Sequence, residues 1–153
     1  MERTMSLFAD VFANANREKL VYTANTHTNG RREGGSCGCG GRLDIDLSIS
    51  GVPGGSTNRE HLFAAGWSAS FEGAMAVVAR KKKTRLPTDT AIDVEVDLNQ
   101  YLADNTSFLR ALIRVRLPNV ERKLALAIVT EAHQICPYSR ATRGNIDVAI
   151  YLI

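Results

Sequence analysis

The chain has 153 residues, 44% of them hydrophobic, and a net charge of +3. That length and apolar content describe one domain with a core of its own. The charge excess is local: Arg80, Lys81, Lys82, Lys83 and Arg85 form one basic run, which complements the macrodipole at a helix end and lacks the broad basic face expected of a nucleic-acid binder. Three cysteines do not make a disulfide framework. The N-terminus has no continuous apolar region of the signal-peptide kind. The expectation is a cytoplasmic protein with reduced thiols.

Residues 1–18 read as an extension in which Leu7, Phe8, Val11 and Phe12 recur at helical spacing. Residues 19–153 read as the domain. Strand character runs from Lys19 to about Thr28. The stretch from Gly30 to Gly41 holds six glycines and reads as a turn or flexible loop. Leu43, Ile45, Leu47 and Ile49 alternate with Asp44, Asp46 and Ser48, which predicts a half-buried strand. After a loop over Gly51 to Ser56, Thr57 is placed as the N-cap of a long helix, with Glu60 closing a capping box. That helix runs to about Lys83, ahead of Pro87. Its stretch from Leu62 to Ala79 approaches the length of a membrane span. Glu72, Ser68, Ser70 and many small residues give it too little hydrophobic drive, so it reads as a buried core helix.

Ile92, Val94, Val96 and Leu98 alternate with Asp93, Glu95 and Asp97, and Leu109 to Leu117 alternate with Arg110, Arg114 and Arg116. Two paired strands would set those carboxylates and guanidinium groups against each other. Asn119 is placed as the cap of a second helix whose stripe is Val120, Leu124, Ile128, Ala132 and Ile135, and Pro137 ends it. A last strand spans Asn145 to Ile153. The order is β-β-α-β-β-α-β, an α+β fold.

Thr57-Asn58, Glu60, Leu62-Phe63-Ala64-Ala65-Gly66 and Phe71 form one specific pattern. Cys136-Pro137-Tyr138-Ser139, followed by Ala141 to Val148, forms another. Over roughly residues 19–153 the chain resembles the OsmC/Ohr family of thiol-dependent hydroperoxide reductases, in its Ohr branch. The resemblance implies an intertwined homodimer with active sites at the subunit interface. It implies organic or fatty-acid hydroperoxides as substrates, recycling by a dithiol of the lipoyl type, and no cofactor. By resemblance, Arg31 stabilises the reactive thiolate, Glu60 orients Arg31, Cys136 is the resolving cysteine, and position 70 is the nucleophile. The roles are chemically coherent. A free thiol is mostly protonated near neutral pH, position 70 is too far into its helix for the dipole to help, and a carboxylate can hold a guanidinium by a bidentate contact. Phe63, Trp67 and Phe71 are candidates for an apolar pocket around the alkyl tail; plain core packing explains them equally well.

The pattern departs from the family at several positions: Arg59 and His61 flank Glu60, Trp67 stands for a common tyrosine, and Arg140 for a common asparagine. The gravest departure is Ser70, where the family has its peroxide-attacking cysteine. A hydroxyl is a weak nucleophile without a general base and cannot form a sulfenic acid or disulfide, so the two-cysteine cycle cannot run as written. Two origins fit. An engineered exchange is favoured by the small size of the swap and by the retained Arg31, Glu60 and Cys136. A natural variant is favoured by the other departures and by Cys37-Gly38-Cys39, and the balance tips towards it.

Cys37 and Cys39 could bind a soft metal or form a strained redox pair. Only two ligands are evident and nothing demands His27 as a third, so the expectation is a flexible loop with exposed thiols and no metal. His61 and His133 read as surface or packing residues. The functional expectation is an organic hydroperoxide reductase scaffold for oxidative-stress defence, impaired at Ser70. The alternative is a non-catalytic module that binds a lipid-like ligand in the apolar pocket.

Overall fold

The computed structural model describes residues 26–28, 35–38, 44–51 and 57–153, with 26–28, 35–38 and Asp44 described by backbone alone. The expected extension over 1–18, the start of the first strand, Arg31 and Cys39 lie outside the described residues. The elements are β1 (Thr26–Thr28), β2 (Gly35–Gly38), β3 (Asp44–Asp46), α1 (Arg59–Lys81), β4 (Ala91–Gln100), β5 (Ser107–Arg116), α2 (Arg122–Ile135), α3 (Pro137–Thr142) and β6 (Asp147–Leu152). The class is α+β, as expected, but two elements add to the expected order. The glycine-rich stretch is not all loop: β2 pairs antiparallel with β1 on one side and β3 on the other. Glycine weakens a strand, but backbone pairing on two sides outweighs local propensity. Beyond Pro137 the chain re-enters a short helix, because proline suits a first helical turn as well as it ends the preceding one.

The second sheet has the order β4-β5-β6. β4 and β5 form a ten-residue antiparallel hairpin from Ala91↔Arg116 to Gln100↔Ser107. At its tip the Asp104 carboxylate accepts from the amide and hydroxyl of Thr106, at 3.0 and 2.7 Å. β6 lies parallel to β5, the arrangement that needs a crossover, and α2 and α3 supply it. Alternation then sorts the side chains. Ala111, Ile113 and Val115 are buried, while Arg114 pairs with Glu95 at 2.9 Å. The expected carboxylate–guanidinium pairing is therefore present, two residues along the ladder from the direct neighbour Asp93.

α1 packs against β4, α2 and α3. Its Trp67, Phe71 and Met75 are 0% exposed and meet Ile113, Val115, Ile128, Ala132 and Cys136 in one core. Each large apolar side chain so buried contributes about 1.5–3 kcal/mol. By length and mean hydropathy α1 could cross a membrane; here one side of it forms the core of the sheet–helix layer.

Two expected caps are corrected. The N-cap of α1 is Asn58, not Thr57: its side chain accepts from the His61 amide at 2.9 Å, and His61 Nδ1 accepts from the Asn58 amide at 3.4 Å. The helix starts one residue later than the Thr57 reading requires, so His61 occupies the position assigned to Glu60. The N-cap of α2 is Glu121, whose carboxylate accepts from the amides of Lys123 and Leu124, both at 2.9 Å. Asn119 instead takes a left-handed turn at φ 60°, which asparagine tolerates. The buried stripe of α2 is Ala125, Ile128, Val129 and Ala132, with Ile135 exposed. It is rotated from the expected one because α1 and the sheet meet the helix along that line.

Candidate active site

Glu60, Phe63, Trp67 and Ser70 recur along α1 at spacings of three, four and three, so they lie along one side of the helix. Opposite the Ser70 end stands the junction of α2 and α3. Cys136 is both the C-cap of α2 and the residue before Pro137. It is fully buried, and its Sγ lies 3.4 Å from Ser70 Oγ, within hydrogen-bond reach. The same junction is fastened by Trp67 Nε1, which donates to the buried Ser139 hydroxyl at 3.3 Å. Phe63 meets Trp67 edge-on at 5.5 Å and Tyr138 at 5.9 Å. The chain runs 66 residues between Ser70 and Cys136, and packing of α1 on α2 and α3 closes that distance.

Glu60 sits at the other end of the stripe. Relieved of capping, it accepts from the Ser50 hydroxyl and from Arg59 Nε at 3.3 Å. Burial pushes its carboxyl up. The hydrogen bonds from Ser50, its own amide and Arg59, with the Arg59 charge, outweigh that and hold it below the ordinary value of 4.5. Ten residues of helix put Glu60 about 15 Å from Ser70 along the axis, so the two do not meet by themselves within one chain.

Clefts gather around Glu60. One of about 530 Å³ is lined by Arg59, Glu60, Phe63, Leu98, Ser107 and Leu109. Another, of about 400 Å³, runs from Ser50 and Asn58 past Glu60 to Val96 and Leu98. Of the three aromatics expected at a substrate pocket, Phe63 lines the larger cleft. Trp67 and Phe71 are 0% exposed and belong to the core. Sequence reasoning assigned no role to Ser50, whose contact with Glu60 depends on a fold-back of the chain. It assigned none to Ser139 either, although that residue belongs to the Cys136-Pro137-Tyr138-Ser139 motif.

One turn before Cys136, the His133 carbonyl accepts from Arg143 Nη2 at 2.9 Å, and His133 Nδ1 is buried with no partner. Burial and then the Arg143 charge push His133 below 6.5. Among the described residues, no group of three or more His, Cys, Asp or Glu side chains is placed to hold a metal ion.

Residues 52–150 match the family of OsmC-like proteins. An organic hydroperoxide resistance protein of Xanthomonas axonopodis pv. citri (strain 306) is 40% identical over 142 residues, 90% of this chain and 99% of that protein. The organic hydroperoxide resistance protein OhrA of Bacillus subtilis (strain 168) is 35% identical over 135 residues, 85% of this chain and 94% of its own length. Among solved structures, OhrB of Bacillus subtilis matches with a TM-score of 0.80 at 34% identity, over 86% of this chain and 98% of that one. An organic hydroperoxide resistance protein from Legionella pneumophila matches with a TM-score of 0.80 at 36% identity, over 88% of this chain and 98% of that one. Motifs, fold and relatives of nearly full length agree that the chain belongs to the OsmC/Ohr family.

Proposed function

We propose that this protein is an Ohr-type scaffold for oxidative-stress defence, built to reduce organic hydroperoxides with a dithiol, and impaired in that reaction by Ser70. The observation that carries the reading is the 3.4 Å approach of Ser70 Oγ to Cys136 Sγ. It is the geometry that two thiols would need to exchange a sulfenic acid for a disulfide. With a thiolate at position 70, the sulfur attacks the distal peroxide oxygen, the O–O bond breaks, and an alcohol leaves with a proton. The sulfenic acid then meets the Cys136 thiol and releases water as the S–S bond forms. A dithiol, of the lipoyl type by family resemblance, returns both thiols. With serine the first step has no sulfur to oxidise.

The remaining roles follow the same reading. Arg31 stabilises the thiolate, Glu60 orients Arg31, and Phe63 faces the alkyl tail. Because Glu60 and Ser70 are separated along α1, either Arg31 spans the gap or a second copy brings its Glu60 up. That argues for a homodimer with the site at its interface. The domain occupies 19–153 behind an extension over 1–18 and works in the cytoplasm. The alternative of a lipid-binding module finds no support among the relatives.

The test is turnover of an organic hydroperoxide with a dithiol. The chain as written should run near background and Ser70→Cys well above it, with a disulfide to Cys136 trapped at low oxidant. A Ser70→Cys protein that is folded but inert, with both thiols still free after oxidant, overturns the proposal.

A further inference from the structure

Among the described residues, two side-chain hydrogen bonds tie α1 to the chain from Cys136 to Thr142. One joins Ser70 Oγ and Cys136 Sγ at 3.4 Å, and the other runs from Trp67 Nε1 to Ser139 Oγ at 3.3 Å. The second pair mirrors the first: Trp67 stands three residues before Ser70, and Ser139 three residues after Cys136. We propose that Trp67 and Ser139 are the positioning pair that holds the Cys136 sulfur against position 70, and that they thereby decide whether an oxidised thiol there closes to a disulfide or is oxidised further. The chemistry of that choice rests on the peroxidase reading; the positioning does not.

The backbone fastens Cys136 to both of its helices. Its amide donates to the Ala132 carbonyl at 2.8 Å and its carbonyl accepts from the Arg140 amide at 2.9 Å, so its sulfur goes where the α2–α3 junction goes. Its side chain makes no capping bond to α3, which leaves Sγ for Ser70. α3 has six residues, too few to hold without tertiary support. Phe63 and Gly66 support it through apolar contact with Tyr138. Apolar contact is non-directional, whereas a hydrogen bond fixes distance and angle, so Trp67–Ser139 sets how far along α1 the junction sits. Both residues are 0% exposed. Water therefore does not replace a lost partner, and removing one side leaves the other buried and unpaired.

A sulfenic acid at position 70 has two fates. Attack by the Cys136 thiol forms the S–S bond and releases water. Attack of the sulfenic sulfur on a second hydroperoxide breaks its O–O bond and gives a sulfinic acid and an alcohol, a product that a dithiol does not return to the thiol. The first fate is intramolecular, so its rate follows the placement of Cys136, and about 1 Å of displacement can cost about a hundredfold. The second follows the peroxide concentration alone.

The test uses the full chain with Ser70→Cys, Cys37→Ser and Cys39→Ser as the parent, so that the thiols in play are the introduced one and Cys136. Equilibration with reduced and oxidised glutathione, without peroxide, reads the effective concentration of one thiol at the other. Ser139→Ala and Trp67→Phe should each lower it by about tenfold or more. Combining the two removes both polar atoms, which restores stability and should leave the value low. Ile113→Val, a truncation in the core on β5, should cost stability and leave the glutathione equilibrium at the parent value. With an organic hydroperoxide, Ser139→Ala should form sulfenic acid, trapped by dimedone, at the parent rate. It should then close the disulfide more slowly and accumulate more sulfinic acid by mass spectrometry. A glutathione equilibrium unchanged in Ser139→Ala and in the double variant, both folded by circular dichroism, overturns the positioning role, and so does an equal fall in Ile113→Val. A sulfinic fraction that stays constant while the glutathione value falls overturns the link to further oxidation. A parent that forms the disulfide with glutathione but consumes no hydroperoxide overturns the peroxidase reading instead, and the glutathione result still decides the positioning.

Discussion

Gly66 and Tyr138 touch where α1 crosses the start of α3: a Cβ built on Gly66 would stand 2.6 Å from Tyr138 Oη and 3.1 Å from its Cζ. The missing side chain lets the tyrosine ring lie against the helix, beside Phe63. In the adjoining turn Trp67 reaches Ser139. This contact holds the Cys136 end of the site against α1.

Gly66→Ala tests it. In a free helix the exchange would stabilise by about 1 kcal/mol; here the overpacking costs about 1–3 kcal/mol. We expect a net loss of about 1 kcal/mol in urea denaturation. Tyr138→Phe removes the nearest atom, so Gly66→Ala should cost less in that background. Equal losses in the two backgrounds would show that Tyr138 is not what opposes a side chain at position 66.

Glu60 should titrate below its ordinary value, and Ser50→Ala should raise it, because that hydroxyl is the leading cause acting against burial. A depressed carboxyl contributes stability that is present above its unfolded value and lost as pH falls through its folded value. NMR titration of the Glu60 carboxyl should therefore show a smaller depression in Ser50→Ala. An unchanged titration would mean that the Ser50 contact does not persist in solution.

His133 gives stability a dependence at milder pH. Burial and the Arg143 charge lower its folded value below 6.5. The unfolded chain thus binds the proton more readily, and stability falls as pH drops from about 6.5 through the folded value. His133→Gln should flatten that slope between about pH 7 and pH 5, and Arg143→Gln should shallow it. Urea midpoints across the window measure both. A wild-type midpoint that holds constant would contradict the depressed value.

Assembly is the fourth prediction. Of the 23 residues of α1, the buried ones are Trp67, Phe71, Ala74, Met75, Val78 and Ala79. Ala65, Ala69 and Gly73 follow each other at intervals of four on an exposed side. A long apolar helix with a bare small-residue side is surface that a second copy can cover. Sedimentation at micromolar concentration should give twice the 16.7 kDa of the chain. A species of single-chain mass there would count against the dimer and against an interface site.

Local pattern was enough for much of the scaffold. Strict alternation marked β4, β5 and β6, because a half-buried strand must send every second side chain to the core. Pro87 and Pro137 bounded the long helices, because proline lacks the amide a continuing helix needs. The family motifs singled out position 70, Cys136 and Glu60. Other features depended on partners that local pattern does not name. The capping role went to Asn58 and His61, leaving Glu60 for Ser50, because a one-residue shift in the helix start changes which side chain reaches which amide. β2 formed within a glycine-rich stretch because it found a strand on each side. Ser70 and Cys136 came together across 66 residues only through the packing of α1 on α2 and α3. Spacing along a chain decides which residues share a face of one element; the distance between two elements is decided by the core that both of them bury.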